Sequence, residues 1–579
     1  MLGHGACSSF IFCAAIYDDL SPRRWQVSYT KRSKRSDATE RNVDCPKKGR
    51  RPLMVRQLPA QSVSSCARQR LIARDKINKA LSSHVGQDMR AWINCISIFV
   101  LFVLASPSQL LADRQTDEYI ERGKNAQKVG DHKTAIDYFT RAIRLGVSEP
   151  DVLFRRGLSY EKIGDSLQAI NDYTRALQLD PKLATAYNNR GSAYYRLGEF
   201  DKAIADYTKA IEINPSYALA FYNRGNAFYG KGAPAKAIED FSKAIDINPR
   251  DPDAYNNRGW ALLQLKQVQR AVPDFDQAIR LNPKYTIAYY NRGNARLQLG
   301  DYAGAVKDLS RAIELDPQYA LAYFQRGNAY TQLQQWDKAI EDYNKAVTIN
   351  PAHAESFNNR GWAYYHKGNN VQAIRDFSKA LSLNPDLARA LVNRGWVYQK
   401  HGEYVRAIQD FTRAMDIEGK SPSVLGLRAS CYLQQGQPDS AMKDLEEALA
   451  QEPDNTDYLV LLGCLKEQKG DYERAIELFQ KLAALLPDDP LPHYYLGVAL
   501  GKRGRFQDSI NELSTSIEKD SRFREAYLKR AIAYEFRGDA DHARADMRKA
   551  LSLPEPGEQL RPKDALVDIA KVKEYLRRH

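Results

Sequence analysis

Arginine and aspartate recur at fixed places in this sequence, as charged pairs that could at first suggest acid–base chemistry. Each aspartate follows an arginine by 16 residues, and the pairs return every 34 residues: Arg190 and Asp206, Arg224 and Asp240, Arg258 and Asp274, and Arg292 and Asp308. A catalytic pair is needed once in a chain, whereas this pair returns with every copy of the pattern. We therefore predict that these residues form ion pairs that stabilise the fold.

Other catalytic and metal-binding signatures are missing from the sequence. The nine histidines form no HExxH motif, and no GxSxG nucleophile motif is present. The stretch from Gly497 to Lys502 contains the glycines of a phosphate-binding loop but not its spacing or its Ser or Thr. His366 and His401 alone make a weak metal site, and Cys431 is predicted to be a buried small side chain. We predict a protein that is not an enzyme and binds no metal or cofactor.

A period of 34 residues runs without insertion or deletion from residue 116 to residue 557, which gives thirteen copies. Within one copy, position 8 is glycine or alanine, position 20 is alanine or serine, and position 32 is mostly proline. Small residues at positions 8 and 20 allow two helices to approach closely. In the copy at 184–217, Gly198 and Pro215 interrupt the helical pattern. This predicts one helix near 184–197 and a second near 201–213.

This pattern resembles the tetratricopeptide repeat (TPR) family, which has small residues at positions 8, 20 and 27, aromatic residues at 11 and 24, and proline at 32. The resemblance covers about three quarters of the chain. It implies an all-α fold, a TPR α-solenoid in which helix-turn-helix hairpins form a right-handed superhelix. It also implies that positions 2, 5, 6, 9, 12 and 13 of each first helix line a concave groove that binds a peptide or another protein.

Asparagine dominates position 6 of the predicted groove. The position-6 asparagines are Asn189, Asn223, Asn257, Asn291, Asn359 and Asn393, and Asn226, Asn294 and Asn328 stand at position 9. The run resembles the asparagine ladder of the O-GlcNAc transferase superhelix, and this resemblance is limited to the repeats. An amide offers one acceptor and two donors, so it can bind the backbone of a peptide of any sequence. The alternative is that these amides only cap or solvate the helices.

Aromatic residues stand beside the asparagines in the predicted groove. Trp260, Trp362 and Trp396 stand at position 9, and Tyr222 and Tyr290 at position 5. Exposed tryptophan is uncommon unless it binds a ligand, so we predict that these side chains contact a peptide. If the ligand is a glycan instead, the tryptophans would serve as stacking platforms.

The segment before the repeats predicts export. Residues 1–88 contain 17 Lys and Arg against 7 Asp and Glu, and we expect them to be disordered or to lie upstream of the true start. Residues 89–112 have a charged start, an apolar run and a small-residue tail, the order of a signal peptide or signal anchor. We therefore expect the repeats outside the cytoplasm, periplasmic or membrane-anchored. Because most of the net charge of +14 lies in residues 1–88, we expect no nucleic-acid partner.

The end of the chain predicts a helix that closes the array. Residues 558–579 are amphipathic and are expected to form a capping helix over the last hairpin. The whole sequence thus predicts an exported scaffold for protein–protein interaction, which binds an extended peptide or a partner protein. A regulatory or docking subunit of an envelope enzyme or of a glycan-related complex is the alternative. Membrane contact is expected only through the N-terminal anchor.

Overall fold

The computed structural model describes residues 107–553, with side chains from residue 114 onward. This range contains 26 α-helices and no strand. The helices are α1 (Pro107–Lys128), α2 (His132–Arg144), α3 (Pro150–Lys162), α4 (Ser166–Leu179), α5 (Ala184–Arg196), α6 (Phe200–Ile213), α7 (Ala218–Gly230), α8 (Pro234–Ile247), α9 (Pro252–Gln264), α10 (Val268–Leu281), α11 (Thr286–Gln298), α12 (Tyr302–Leu315), α13 (Ala320–Gln332), α14 (Trp336–Ile349), α15 (Ala354–His366), α16 (Asn370–Leu383), α17 (Ala388–Lys400), α18 (Tyr404–Glu418), α19 (Pro422–Gln434), α20 (Pro438–Gln451), α21 (Thr456–Gln468), α22 (Tyr472–Leu485), α23 (Pro490–Lys502), α24 (Phe506–Lys519), α25 (Arg524–Phe536) and α26 (Ala540–Ser552).

Several predicted segments fall outside this range. Residues 1–88 and the capping helix at 558–579 lie outside the described residues. Of the predicted signal segment 89–112, only residues 107–112 are described, and they begin α1. None of the described helices combines the length and the hydrophobicity that a membrane crossing requires.

Each 34-residue copy folds into one helical hairpin. The odd-numbered helices are the first, or A, helices of repeats 1 to 13, and the even-numbered helices are the second, or B, helices. In repeat 3 the helices span Ala184–Arg196 and Phe200–Ile213, within one residue of the predicted bounds. The all-α prediction is therefore confirmed for the described chain.

The chain divides into two compact units, each with its own stack of hairpins. The N-terminal unit ends at Pro283, and the C-terminal unit begins at Lys284. Within each unit, every helix packs against the next one along the chain. The A helices of neighbouring repeats also touch, as α5 and α7 do in the first unit and α15 and α17 in the second. Each unit is thus a TPR-type α-solenoid.

Glycine at position 8 makes room for the ring at position 24. A Cβ atom built on Gly191 would lie 2.8 Å from Cε1 of Tyr207 and 3.2 Å from the carbonyl oxygen of Ala203. The same contact joins Gly259 and Phe275 at 2.8 Å. Since Tyr207 and Phe275 are fully buried, each hairpin has its own small core between its A and B helices.

The turn between helices A and B requires a left-handed residue at position 15. Gly198 occupies it with a φ of +76°, a conformation that glycine adopts without steric cost. Repeats 5 and 7 have Lys266 and Gln334 there, with φ of 58° and 56°. These two turns therefore carry backbone strain that the glycine turns avoid.

Candidate functional site

The recurring Arg and Asp residues form a clamp within each hairpin. In repeat 3, Arg190 Nε donates to Asp206 Oδ2 and Nη2 donates to Asp206 Oδ1, both at 2.7 Å. The hydrogen bond with Asp274 raises the pKa of the Arg258 guanidinium above its ordinary value. The same bidentate clamp joins Arg156 and Asp172, Arg224 and Asp240, Arg258 and Asp274, Arg292 and Asp308, Arg326 and Asp342, Arg360 and Asp376, Arg394 and Asp410, Arg428 and Asp444, and Arg530 and Asp546. The predicted structural role of these pairs is confirmed.

The sequence analysis did not predict the third hydrogen bond of the clamp. Arg190 Nη1 donates to Thr174 Oγ1, a hydroxyl of the preceding repeat, at 3.0 Å. The arginines of other repeats reach the equivalent side chains Thr140, Thr208, Ser242, Ser310, Ser378, Thr412 and Ser514. In the sequence, the frequent Ser or Thr at position 25 of the repeat could have indicated this bond. In these repeats the clamp thus fastens a hairpin to its predecessor as well as to itself.

In the N-terminal unit, the predicted groove amides bond to one another across repeats. Asn223 Nδ2 donates to Asn188 Oδ1 at 3.0 Å. Asn257 Nδ2 donates both to Tyr222 Oη and to Asn226 Oδ1, at 3.0 Å each. A position-6 side chain therefore binds position 5 or 9 of the preceding repeat. We call this set of bonds the amide ladder.

The C-terminal unit has an amide ladder of the same kind. Asn359 Nδ2 donates to Asn328 Oδ1 at 2.8 Å, and Asn393 Nδ2 donates to Asn358 Oδ1 at 3.0 Å. Tyr343 Oη also donates to Asn328 Oδ1, at 2.8 Å. The remaining predicted asparagines here, Asn291 and Asn294, are buried. Neither sequence hypothesis, peptide contact or solvation, included these bonds between repeats.

The ladder amides differ in the hydrogen-bonding capacity that they retain. Asn257 uses both N–H groups, and its Oδ1 accepts from Asn256 Nδ2 at 3.1 Å. Asn223 uses one N–H, and its Oδ1 accepts no hydrogen bond from residues 107–553. Asn189 Oδ1 accepts from Asn188 Nδ2 at 3.1 Å. An amide has two donors and one acceptor oxygen, so Asn223 keeps a donor and an acceptor for a ligand.

The prediction that the tryptophans are exposed is wrong for Trp396. This side chain is 5% exposed, and its Nε1 donates to Tyr365 Oη of the preceding repeat at 3.1 Å. Trp362 is half-buried and stacks on Tyr365, with ring centroids 5.4 Å apart. Trp260 is half-buried; burial raises the pKa of Tyr229 of the preceding repeat, while the interaction with Trp260 lowers it in part. Trp260 and Trp396 thus each lie beside the tyrosine at position 12 of the previous hairpin and pack between repeats, whereas Trp362 packs on the position-12 tyrosine of its own helix.

The two predicted tyrosines also lie between A helices. Burial raises the pKa of Tyr222, while its hydrogen bonds with Asn226 and Asn257 lower it in part. Burial likewise raises the pKa of Tyr290, while its interactions with Asn294 and Gln325 lower it in part. Both phenols therefore stay neutral, and Tyr222 is a member of the ladder through Asn257.

An exposed apolar side chain accompanies the ladder at position 2. Leu219 is 50% exposed and stands four residues before Asn223 on α7. Residues spaced by four share one face of a helix, so Leu219 and Asn223 lie together. In the C-terminal unit, Ile287 and Leu321 are exposed at the same repeat position. The family resemblance includes position 2 among the groove positions, but the sequence analysis singled out none of its apolar side chains.

His366 and Cys431 are packed among other side chains of the fold. Among the described residues, no three His, Cys, Asp or Glu side chains are grouped as a metal site requires. The His366 ring stacks face to face on Trp336, with centroids 4.3 Å apart and planes at 4°. Cys431 is fully buried, as predicted.

Family models described as "TPR repeat" or "Tetratricopeptide repeat" match nearly all of the described chain. The matched stretches are 151–182, 167–198, 191–232, 218–251, 252–285, 275–307, 293–334, 327–368, 354–387, 377–409, 398–463, 468–504 and 494–564. No protein of curated function matches the chain.

Several solved structures of repeat proteins are similar to parts or most of the chain. YrrB, described as a TPR protein with an unusual peptide-binding site, is 28% identical over 34% of this chain and 97% of its own, with a TM-score of 0.30. MamA from Desulfovibrio magneticus RS-1 is 28% identical over 29% of this chain and 96% of its own, with a TM-score of 0.28. The APC/C hetero-tetramer Cut9-Hcn1 matches 82% of this chain and 98% of its own at 16% identity, with a TM-score of 0.32.

The hairpins, the close glycine contacts and the family models point to the same conclusion. Stacked hairpins of this kind present extended surfaces to other proteins, which makes the array a protein-interaction scaffold. The chain belongs to the tetratricopeptide repeat family.

Proposed function

We propose that the chain is an exported scaffold that binds an extended segment of a partner protein along the A helices of its N-terminal unit. The observation that carries the proposal is the unused hydrogen-bonding capacity of Asn223, one N–H and the Oδ1 acceptor. A peptide unit offers one acceptor and one donor, so this amide can pair with it whatever the partner's sequence.

Leu219 gives the same surface an apolar contact. It is half exposed and lies one helical turn from Asn223. A partner side chain that covers Leu219 removes apolar surface from water, which favours binding. The combination of a backbone contact and an apolar contact suits an extended segment.

The asparagines of the ladder have different roles in this proposal. Asn223 binds the partner, whereas Asn257, with both N–H groups committed, orders the A helices. Trp260 keeps part of its ring accessible and adds contact area. Trp396 acts through its bond to Tyr365 and stabilises the repeats.

The test is selection of peptides from a random library on the full chain, followed by calorimetric titration of a selected peptide. We expect Leu219→Ser and Asn223→Ala each to weaken binding several-fold. Asn223→Ala removes one hydrogen bond of roughly 0.5–1.5 kcal/mol, and Leu219→Ser removes one apolar contact with the partner. Asn257→Ala should mainly lower the melting temperature. The matched control is Lys236→Gln, which changes the B helix of the same repeat and should leave affinity unchanged.

Two results would contradict the proposal. Failure to select any peptide would show that the surface does not bind extended segments. Equal affinity of the wild type, Leu219→Ser and Asn223→Ala would place binding elsewhere. A melting curve of Leu219→Ser that matches the wild type verifies that the fold is intact.

The export part of the proposal rests on the order of charged, apolar and small residues in the segment 89–112. We expect native protein to fractionate with the envelope or periplasm. N-terminal sequencing of that material would locate the mature start. Recovery of the chain with residues 1–112 intact in the cytoplasmic fraction would contradict export.

A further inference from the structure

The outer surface of the B helices bears a basic side chain at position 26 in most repeats. In several repeats an acid on the same helix neutralises it. Lys209 Nζ lies 2.6 Å from Glu212 Oε2, and Arg311 Nη1 lies 2.8 Å from Glu314 Oε2. Lys243 has the same neighbour in Asp246, at 3.8 Å. An ion pair of this kind leaves little net charge for a partner.

Helix α16 lacks this compensation. Arg375 and Lys379 are both exposed and stand four residues apart, on one face of the helix. Like charges at this spacing destabilise a helix. The one acid of α16, Asp376, is buried and committed to the clamp with Arg360. The exposed face of α16 is therefore positive without an internal counter-charge.

The positive surface continues onto the neighbouring B helices. Lys345 on α14 and Arg413 on α18 are exposed at the same repeat position as Lys379. Arg413 Nη2 donates to the carbonyl oxygen of Pro385, at 2.9 Å, which holds its guanidinium near the end of α16. We call Lys345, Arg375, Lys379 and Arg413 the basic strip.

The basic strip has defined ends. In repeat 6, Arg311 is paired with Glu314. In repeat 10, position 26 is Glu447, which pairs with Lys420 at 2.8 Å. Val371 and Val405, two highly exposed apolar side chains on α16 and α18, flank the strip at one edge. The basic strip thus spans repeats 7 to 9, and it combines positive charge with apolar side chains along one edge.

We propose that the basic strip docks a short acidic segment of a partner protein, as a second interaction surface separate from the A-helix face. The partner is another molecule, because residues 1–88 of this chain carry an excess of basic residues and are of the same sign as the strip. Exposed acids beside the strip, Glu341 and Asp416, repel a long polyanion or a flat anionic membrane. A short acidic segment avoids these residues.

The probe is a fluorescein-labelled peptide of alternating Glu and Ser, designed to be about twelve residues long. Its binding to the full chain is measured by fluorescence anisotropy. The same peptide with Gln in place of Glu controls for charge. We expect the Glu peptide to bind, with an affinity that falls as salt rises. Lys345→Gln with Lys379→Gln should weaken binding roughly 2- to 30-fold, as expected for the loss of two exposed ion pairs.

The matched control is Lys209→Gln with Lys243→Gln, which removes the same number of charges at the same repeat position where acids already neutralise them. This variant should bind like the wild type. Equal weakening by both double variants would overturn the proposal, because it would reveal a non-specific charge effect. So would equal binding of the Gln peptide, or tighter binding to phosphatidylserine vesicles or duplex DNA than to the Glu peptide.

Discussion

Repeats 7–9 and repeats 10–12 of the C-terminal unit share one 34-residue frame but join their A helices differently. In repeats 7–9 the contacts include amide bonds, such as those from Asn359 to Asn328 and from Asn393 to Asn358. Beyond them, one continuous hydrophobic cluster extends from Trp396 to Leu500. Polar bonds in one region thus give way to apolar contacts in the other.

The residues at positions 5 and 6 account for this change. Asn358 and Asn359 occupy them in repeat 8, whereas Val460 and Leu461 occupy them in repeat 11. The clamp changes in parallel, since repeat 11 has Leu462 and Leu478 in place of Arg and Asp. Both leucines are buried. The 34-residue repeat therefore requires its helices to approach closely, and either polar or apolar side chains can fill the contact between them.

The largest expected effect concerns the clamp of repeat 9. Arg394→Leu leaves Asp410 buried without its partner and should lower the free energy of unfolding by about 3–5 kcal/mol. Arg394→Leu with Asp410→Leu reproduces the leucine pair of repeat 11 and should restore most of the loss. Urea denaturation, with hydrogen exchange of α17 and α18, measures both. If the double variant is as unstable as the single one, the two regions are not interchangeable.

A smaller effect is expected at Gly426, position 5 of repeat 10. A Cβ atom there would lie 2.8 Å from Cε1 and Oη of Tyr458, and Tyr458 Oη donates to the Pro422 carbonyl oxygen at 3.0 Å. Gly426→Asn, which introduces the residue type found in repeats 3, 5 and 8, should cost about 1–3 kcal/mol by overpacking.

Tyr458→Ala tests the cause of that cost. Most repeats have alanine at position 3, so this change opens the space that the introduced asparagine side chain would need. In the double variant Gly426→Asn with Tyr458→Ala, we expect the free energy of unfolding to fall by less than the sum of the two single losses, by about 0.5–3 kcal/mol. Strict additivity in denaturation would show that Gly426 is required for a reason other than Tyr458.

A single rung of the amide ladder should contribute less. Asn359→Leu introduces the residue that repeats 10 and 11 have at position 6, and it removes the bond to Asn328. We expect a loss of about 0.5–1.5 kcal/mol, typical of one hydrogen bond exchanged with water. Faster hydrogen exchange should appear in α13 and α15. An unchanged unfolding midpoint would mean that the ladder does not stabilise the repeats.

The smallest expected effect has the opposite sign. Lys379→Gln relieves the repulsion with Arg375 and should raise the free energy of unfolding by about 0.2–0.5 kcal/mol. Lys209→Gln, the control, loses its pair with Glu212 and should be slightly destabilising. Thermal melts at low salt detect the difference, and high salt should remove it. A destabilised Lys379→Gln would contradict the uncompensated charge on α16.

The fold was predictable because its signals are local and repeated. Glycine at position 8 and a ring at position 24 lie in the same hairpin, so one 34-residue window contains both halves of the contact. The clamp between Arg190 and Asp206 was predictable for the same reason. Its third bond was not recognised, because Thr174 belongs to the preceding repeat.

The candidate site was less predictable, since its bonds cross from one repeat to the next. Periodicity places Asn223 and Asn188 on A helices but does not say that their side chains meet. Trp396 stood at a position associated with ligands, yet Tyr365 of the previous hairpin was close enough to accept its N–H. The spare acceptor of Asn223 could only be recognised once its neighbours were known.

Clamp arginines such as Arg190, which bind two B helices, set an order for assembly during synthesis. The hydroxyl of the preceding repeat is already made when helix A emerges, so Arg190 can bind Thr174 first. Its own carboxylate, Asp206, arrives with helix B and completes the clamp. At about 5–20 residues per second, a 34-residue hairpin takes roughly 2–7 s to synthesise. The growing array can therefore dock each new hairpin before the next one is made, in the direction of translation.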